Sequence, residues 1–380
     1  MHVEPVTTEE ALAGVAGDWD GLSRGVPFRG GTWLRAWWRY YGQSSSAHAR
    51  RELCALAVRD EQGALIGLAP WFVEYSMSAG RVIKFLGGDE IYSDYLSLLA
   101  RPGHESPVAD CVAAWLMRDF AAGWDALALS GVDAADLAVG ALVDRLQSLG
   151  ARVHRRPDLC CWRLELPRTW EEYLTLLSKS HRKQIRRAER RLFATGRAVV
   201  ESPQSRAALE PAIDLLITLH QRRHQRQRRR GAFSSPSFAR FHREVIPALV
   251  AAGQARLDVL RLDGVPLAVE YQLLGDDVVY AYQSGIDPDW LRLEPGRLAM
   301  MTAIRAAIAQ GKRAFDFLRG DEPYKAHWRA TPRATLRARV VPTSRAARLR
   351  NTIWLAGDTT KAWLRGRLKN VAQTANAKTT

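Results

Sequence analysis

A lone carboxylate stands in the middle of an apolar strand-like run, Val265-Pro-Leu-Ala-Val-Glu-Tyr-Gln-Leu-Leu274. At period two, Ala268, Glu270 and Gln272 share one face, with Leu267, Val269, Tyr271 and Leu273 on the other. A carboxylate in such a run is either paired with an arginine or set aside for chemistry, because burying an unpaired charge is costly. Left unpaired and partly buried, Glu270 holds its proton tightly and suits general-base work on an amine. Downstream, Tyr280, Tyr282 and Ser284 fall on one face of a second run that ends in turn-forming residues. Leu293-Glu-Pro-Gly-Arg-Leu298 then opens a helix. Such a start is either a simple cap or a phosphate cradle: Pro295 is pre-organised, Gly296 admits a ligand to the backbone, and Arg297 adds charge. A third run, Arg313-Ala-Phe-Asp-Phe-Leu318, sets Asp316 opposite Phe315 and Phe317 and empties into Arg319-Gly-Asp-Glu-Pro-Tyr-Lys325 and Trp328. So many ionisable and aromatic groups after a strand end mark either a site or a charged surface loop.

These segments need a scaffold, and the pattern supplies an α/β (α+β) one. Helices are expected at 8–22, 31–41, 107–119, 135–149, 169–195, 206–228, 236–252 and from Pro295 to Gln310. Strands are expected at 52–58, 64–74, 82–86, 92–99, 126–129, 152–166, 198–201, 256–262, 265–274, 278–284, 314–318 and 334–341. Asp263-Gly264 is a strong hairpin signal. The order of elements in the first half repeats in the second, which suggests a duplicated domain. The expected division is 1–166, 167–343 and a basic tail over 344–380. In that tail Trp354, Leu355, Trp363 and Leu364 have helical spacing suited to an anionic membrane face.

The 380 residues suffice for two cores, and the net charge of +15 favours anionic partners: CoA phosphates, nucleic acid or a membrane. Arg222–Arg230 and Lys179–Arg191 are either a tRNA track or solvated helix faces near an anionic cofactor. Thirteen tryptophans, several beside arginine, read as half-buried indoles at domain edges. Cys54, Cys111, Cys160 and Cys161 make no CxxC pair, which argues against a disulfide framework or zinc site. The acidic, polar first ten residues and the lack of an apolar run of about 18 lead us to expect a cytoplasmic protein.

Ser284-Gly-Ile-Asp-Pro288, Pro295-Gly296 and Phe315-Asp-Phe-Leu-Arg-Gly-Asp-Glu-Pro-Tyr-Lys325 resemble the signature of GNAT domains in CelD-like, cellulose-biosynthesis-associated acetyltransferases, which are related to the Fem-type aminoacyltransferases. Leu177–Leu192 resembles that family's opening helix, so the likeness covers about 165–330. Phe28–Trp38, Phe85-Leu-Gly-Gly88 and Tyr92-Ser-Asp-Tyr95 resemble the degenerate partner domain of tandem members. The resemblance implies tandem GNAT-like domains, each a mixed, mostly antiparallel sheet flanked by helices. It implies a metal-free acyltransferase (EC 2.3.1.-) using acyl-CoA, in the first place acetyl-CoA. The acceptor it implies is an amine or hydroxyl of a small molecule or of a saccharide or cell-envelope precursor. Glu270, Asp316, Tyr282 and Lys325 are then the catalytic candidates. Leu293, Pro295, Gly296, Arg297 and Leu298 are the donor-binding candidates, and Arg319, Asp321, Tyr324 and Trp328 the acceptor contacts. Aligned on Arg292, Pro295 and Arg297 stand where the family's phosphate loop has small residues, which leaves room for another activated donor. An aminoacyl-tRNA-dependent transferase and a non-catalytic accessory of polysaccharide assembly, docked at the membrane's inner face, are the alternatives.

Overall fold

The computed structural model describes residues 1–42, 50–77 and 79–355. The second half is built on a seven-stranded sheet. Its spatial order is Ala198–Glu201, Ala255–Leu262, Val265–Leu274, Val278–Ile286, Ala314–Arg319, Cys161–Glu165, Thr331–Arg333. All neighbours are antiparallel except Val278–Ile286 and Ala314–Arg319, which are parallel and joined through the helix Pro295–Ala309. The first half repeats this device: Gly80–Phe85 and Ala126–Asp133 pair in parallel with the helix Glu105–Met117 between them. The chain is therefore a tandem of mixed sheets flanked by helices.

Several expected elements divide, each for a local reason. The runs 52–58 and 64–74 break at Cys54 and Pro70, where the chain passes from a six-stranded to a four-stranded sheet and back; Pro70 has no N–H for a ladder. Of the strand expected at 92–99 only the end forms, as Leu99–Ala100. Asp89–Ile91 is a 3-10 turn, and Tyr92 and Tyr95 take left-handed backbone at φ 53° and 61°, which no strand tolerates. The helix expected at 169–195 splits into Trp170–Leu176 and Lys179–Ala188, because the Ser178 hydroxyl caps a fresh start by accepting from the His181 N–H. The strand expected at 152–166 becomes Arg152–Pro157 and Cys161–Glu165, which lie in different sheets.

That last break has a topological consequence. Cys161–Glu165 joins the second-half sheet, while Thr335–Val341, from the far end of the chain, inserts between Ala126–Asp133 and Arg152–Pro157 in the first-half sheet. A division at 166 leaves one strand of each sheet on the wrong side of the cut. One core also runs across the junction. Trp33 meets Phe241 edge-on at 4.9 Å and Tyr282 at 5.3 Å between ring centroids. Trp19, Trp33, Trp37, Trp71 and Trp124 are fully buried rather than half-buried at domain edges. In the tail, residues 345–355 are helical. Trp354 turns inward over the Arg339 guanidinium at 4.1 Å, and it is Leu349 and Ile353 that face outward. Trp363 and Leu364 lie outside the described residues.

Candidate functional site

The parallel strands of the second half stay together only over Val278–Tyr280 and Ala314–Asp316, then part. The opening holds two adjoining chambers. The first, about 850 Å³, lies between the start of the helix Lys179–Ala188 (Ser178, His181, Gln184) and the start of the crossover helix (Gly296, Arg297). His327 and Trp328 close its far wall. The second, about 440 Å³, lies between the halves: Tyr92 and Asp94 come from the first, and His220, His224, Arg230 and Arg319 from the second. Arg223, Glu270, Ser284, Met300 and Tyr324 line both, so they mark the junction.

Strand register explains the junction. Asp258, Glu270 and Ser284 form one row across three antiparallel strands. Asp258 belongs to a satisfied network: it accepts from the Gln272 amide at 3.0 Å and the Ser202 hydroxyl at 2.5 Å, and it pairs with Arg256 at 3.0 Å. Glu270 is 4% exposed, and among the described residues its carboxyl has no hydrogen bond or ion pair. Burial, and secondarily the Asp258 charge, push its pKa up to about 8, with Arg223 opposing. The arginine partner that sequence alone left open for Glu270 does not reach it. Glu270 is therefore mostly protonated at pH 7 and becomes a base as the pH passes about 8.

Other expected site residues are spent on structure. Asp316 lines neither chamber; it accepts from the Tyr95 hydroxyl at 2.6 Å and the Leu318 N–H at 2.7 Å, tying the halves together. The Tyr282 hydroxyl donates to the Ile91 carbonyl at 2.6 Å. Arg319 pairs with Asp94 through Nε at 2.6 Å and also donates its backbone N–H to it at 3.1 Å. Lys325 is 2% exposed; its ammonium donates to the carbonyls of Leu318, Arg319 and Gly320 at 3.1, 3.0 and 2.9 Å, and pairs with Glu322 at 2.9 Å. This clamp holds a loop whose Leu318 and Gly320 have φ of 58° and 116°. We expect Lys325→Met to lower stability by about 2–4 kcal/mol in urea unfolding, since one buried and two part-buried carbonyls lose their donor; an unchanged midpoint would refute the clamp.

The donor-side candidates divide as well. Leu298 is buried in the core with Leu260 and Leu267, Leu293 is exposed, and Pro295 is buried. Gly296 lines the first chamber; a Cβ there would sit 2.7 Å from Ile286 Cδ1. The Arg297 and Leu298 amides return to the Glu294 carbonyl at 2.9 and 3.2 Å, and the Arg297 guanidinium is held by Gln184 at 2.6 Å and Glu294 at 2.5 Å. The helix start is therefore more engaged than a free anion cradle. The chamber is still rich in cations, with Arg223, Arg297 and Arg329 against the carboxyls of Glu270 and Glu294. On the acceptor side, Tyr324 lines both chambers and Trp328 the first. Asp321 lies outside both, 3.4 Å from the Trp162 indole nitrogen.

Arg223 and His224 belong to the run Arg222–Arg230 that the sequence marks as a tRNA track or a helix face near an anionic cofactor, whereas His220, one turn earlier on the helix Arg206–Arg226, was not singled out. The local signal was Gly285. A Cβ there would lie 2.8 Å from the Leu216 carbonyl oxygen and 2.9 Å from Leu219 Cβ, so glycine lets this helix press onto the strand beside Ser284. The His220 and His224 rings stack at 4.4 Å, and burial lowers both pKa values, His220 to about 4. Among the described residues no group of three or more His, Cys, Asp or Glu could hold a metal ion.

Residues 179–326, less than half of the chain, match the model of the acetyltransferase (GNAT) domain family. No curated protein matches the chain by sequence. Among solved structures the chain is similar to FemX at 12% identity and a TM-score of 0.60, covering 92% of this chain and 99% of that one. It is also similar to a conserved protein of unknown function from Bacteroides thetaiotaomicron VPI-5482 at 10% identity and 0.52, covering 89% and 100%. At such identities the likeness is one of fold. The second half carries a GNAT-fold domain, and the arrangement of both halves together is the one seen in FemX.

Proposed function

We propose that the chain moves an acyl group from an acyl-CoA thioester, in the first place acetyl-CoA, to an amine, with Glu270 as general base. The observation that carries this reading is the unpartnered Glu270 carboxyl at the junction of the two chambers. The thioester occupies the first chamber along the parted strand and the acceptor the second. The amine nitrogen attacks the thioester carbonyl, a C–N bond forms and the C–S bond breaks. Glu270 takes the proton the amine loses. Burial of its ring, with the Glu322 charge adding to it, pushes the Tyr324 hydroxyl up, so Tyr324 keeps a proton to give to the leaving thiolate. The motif resemblance makes an envelope or polysaccharide precursor the acceptor class to try first, with the basic tail holding the protein at an anionic membrane face.

Acetyl-CoA should raise the thermal midpoint of the full chain, and amines should release free CoA thiol from it; no shift and no thiol release would exclude the donor. The second reading, an aminoacyl-tRNA donor, is favoured by one observation: residues 225–230, four of them arginine, are all exposed beside the second chamber. Filter binding of aminoacyl-tRNA at 50 mM and 200 mM salt separates the two, since phosphate contacts lose affinity steeply across that range.

A further inference from the structure

We propose that the acceptor carries, besides its nucleophilic amine, an oxyanion group (a carboxylate or a phosphate) seated in the chamber between the halves. The inference rests on the transfer reading of the same cleft. It follows from the charges that remain after internal pairing. The carboxylates lining this chamber are Asp94, Glu322 and Glu270. Asp94 is neutralised by Arg319 and Glu322 by Lys325. Glu270 is protonated at neutral pH through burial. On the cationic side, Arg319 and Lys325 are used up in those pairs. Arg223 and Arg230 remain, and among the described residues neither guanidinium has a hydrogen bond or ion pair.

The chamber is also lined by the imidazoles of His220 and His224, of which His220 Nδ1 meets Gln221 Oε1 at 3.2 Å. His224 Nδ1 is buried and makes no hydrogen bond, and its ring stacks on His220. Two unpaired guanidiniums lining about 440 Å³ of space, with the His220 and His224 rings beside them, form an oxyanion subsite the size of an amino acid or a monosaccharide phosphate. Donor phosphates do not account for it: Arg230, His220 and His224 line only the inter-half chamber, across Glu270 from the start of the crossover helix.

The test is thermal shift on the full chain with saturating CoA, using matched probes: glucosamine 6-phosphate against glucosamine, and β-alanine against β-alaninamide. The oxyanion-bearing member of at least one pair should raise the midpoint while its partner, which lacks that group, does not; which pair responds tells phosphate from carboxylate. Arg230→Gln, at an exposed and unpaired position, should weaken that probe at least ten-fold and leave the CoA shift intact. Equal responses within both pairs, no response in either, or an Arg230→Gln variant that binds the responding probe as before would overturn the inference. Loss of the CoA shift itself would strike the donor reading instead, and the probe pairs still report on the subsite without CoA.

Discussion

Glu270→Gln should cut kcat by about 10²–10⁴-fold, the range supplied by a positioned general base, while leaving acetyl-CoA binding in place. Gln fills the same volume, and the native carboxyl has no partner to lose. The pH dependence sharpens the expectation. With its pKa pushed up to about 8, Glu270 is largely protonated at pH 7, so kcat/KM should climb through an apparent pKa near 8 and level off above it. The residual rate of the Gln variant should show no such limb. Stability should move the opposite way. A carboxyl raised from 4.5 to about 8 on folding carries no penalty below 4.5, loses stability progressively as pH rises through that window, and bears the full cost above 8. At about 1.4 kcal/mol per unit this amounts to something on the order of 5 kcal/mol. Burying a Gln amide returns part of it, so Glu270→Gln should unfold a few kcal/mol later than the native chain at pH 9 and match it near pH 4. A variant that loses activity without gaining stability at pH 9 would mean that the carboxyl is held by a partner after all.

The two properties that make Glu270 informative were open to inspection in the sequence, because both are local. Its neighbours along the strand are apolar, and Asp263-Gly264 fixes the hairpin that carries it; those residues take φ of 50° and 83°, as a two-residue turn requires. The strand Val265–Leu274 and its partner Val278–Ile286 followed from the same alternation. Asp316 and Lys325 looked equally chemical, yet their polar atoms are taken up by Tyr95 and by three carbonyls. Residue type reports that a group is ionisable; whether it is left over for chemistry depends on contacts 5 to 221 positions away. Arg223 shows the converse. It sits in a run of arginines that composition leaves open between a nucleic-acid track and a solvated helix face, and only the close approach at Gly285 places it at the cleft. Strand exchange was illegible for a related reason: alternation identifies Cys161–Glu165 and Thr335–Val341 as strands but carries no record of which sheet they enter.

Because each half lends a strand to the other, the pair Asp94–Arg319 should behave as an internal bond of one unfolding unit, and Arg319→Ala should cost about 3–5 kcal/mol. Asp94 is 2% exposed at its side chain and Arg319 20%, so removing the guanidinium strands a buried carboxylate. The loss is not only coulombic. Arg319 also donates to the Ser93 carbonyl, within a segment held in left-handed backbone at Tyr92 and Tyr95. Asp94→Ala should cost a comparable amount from the other side, leaving a half-buried guanidinium facing the acceptor chamber. The double variant should cost clearly less than the sum of the singles, because neither partner is then left behind; a coupling of at least about 2 kcal/mol in urea unfolding is the expected result. Additive costs would mean that the pair is solvated and holds nothing. The same cycle reads function. Asp94 and Tyr92 form the first half's wall of the acceptor chamber, so variants that release this segment should raise the acceptor KM and leave acetyl-CoA affinity unchanged. That split separates a displaced wall from a globally loosened fold, in which both would weaken together.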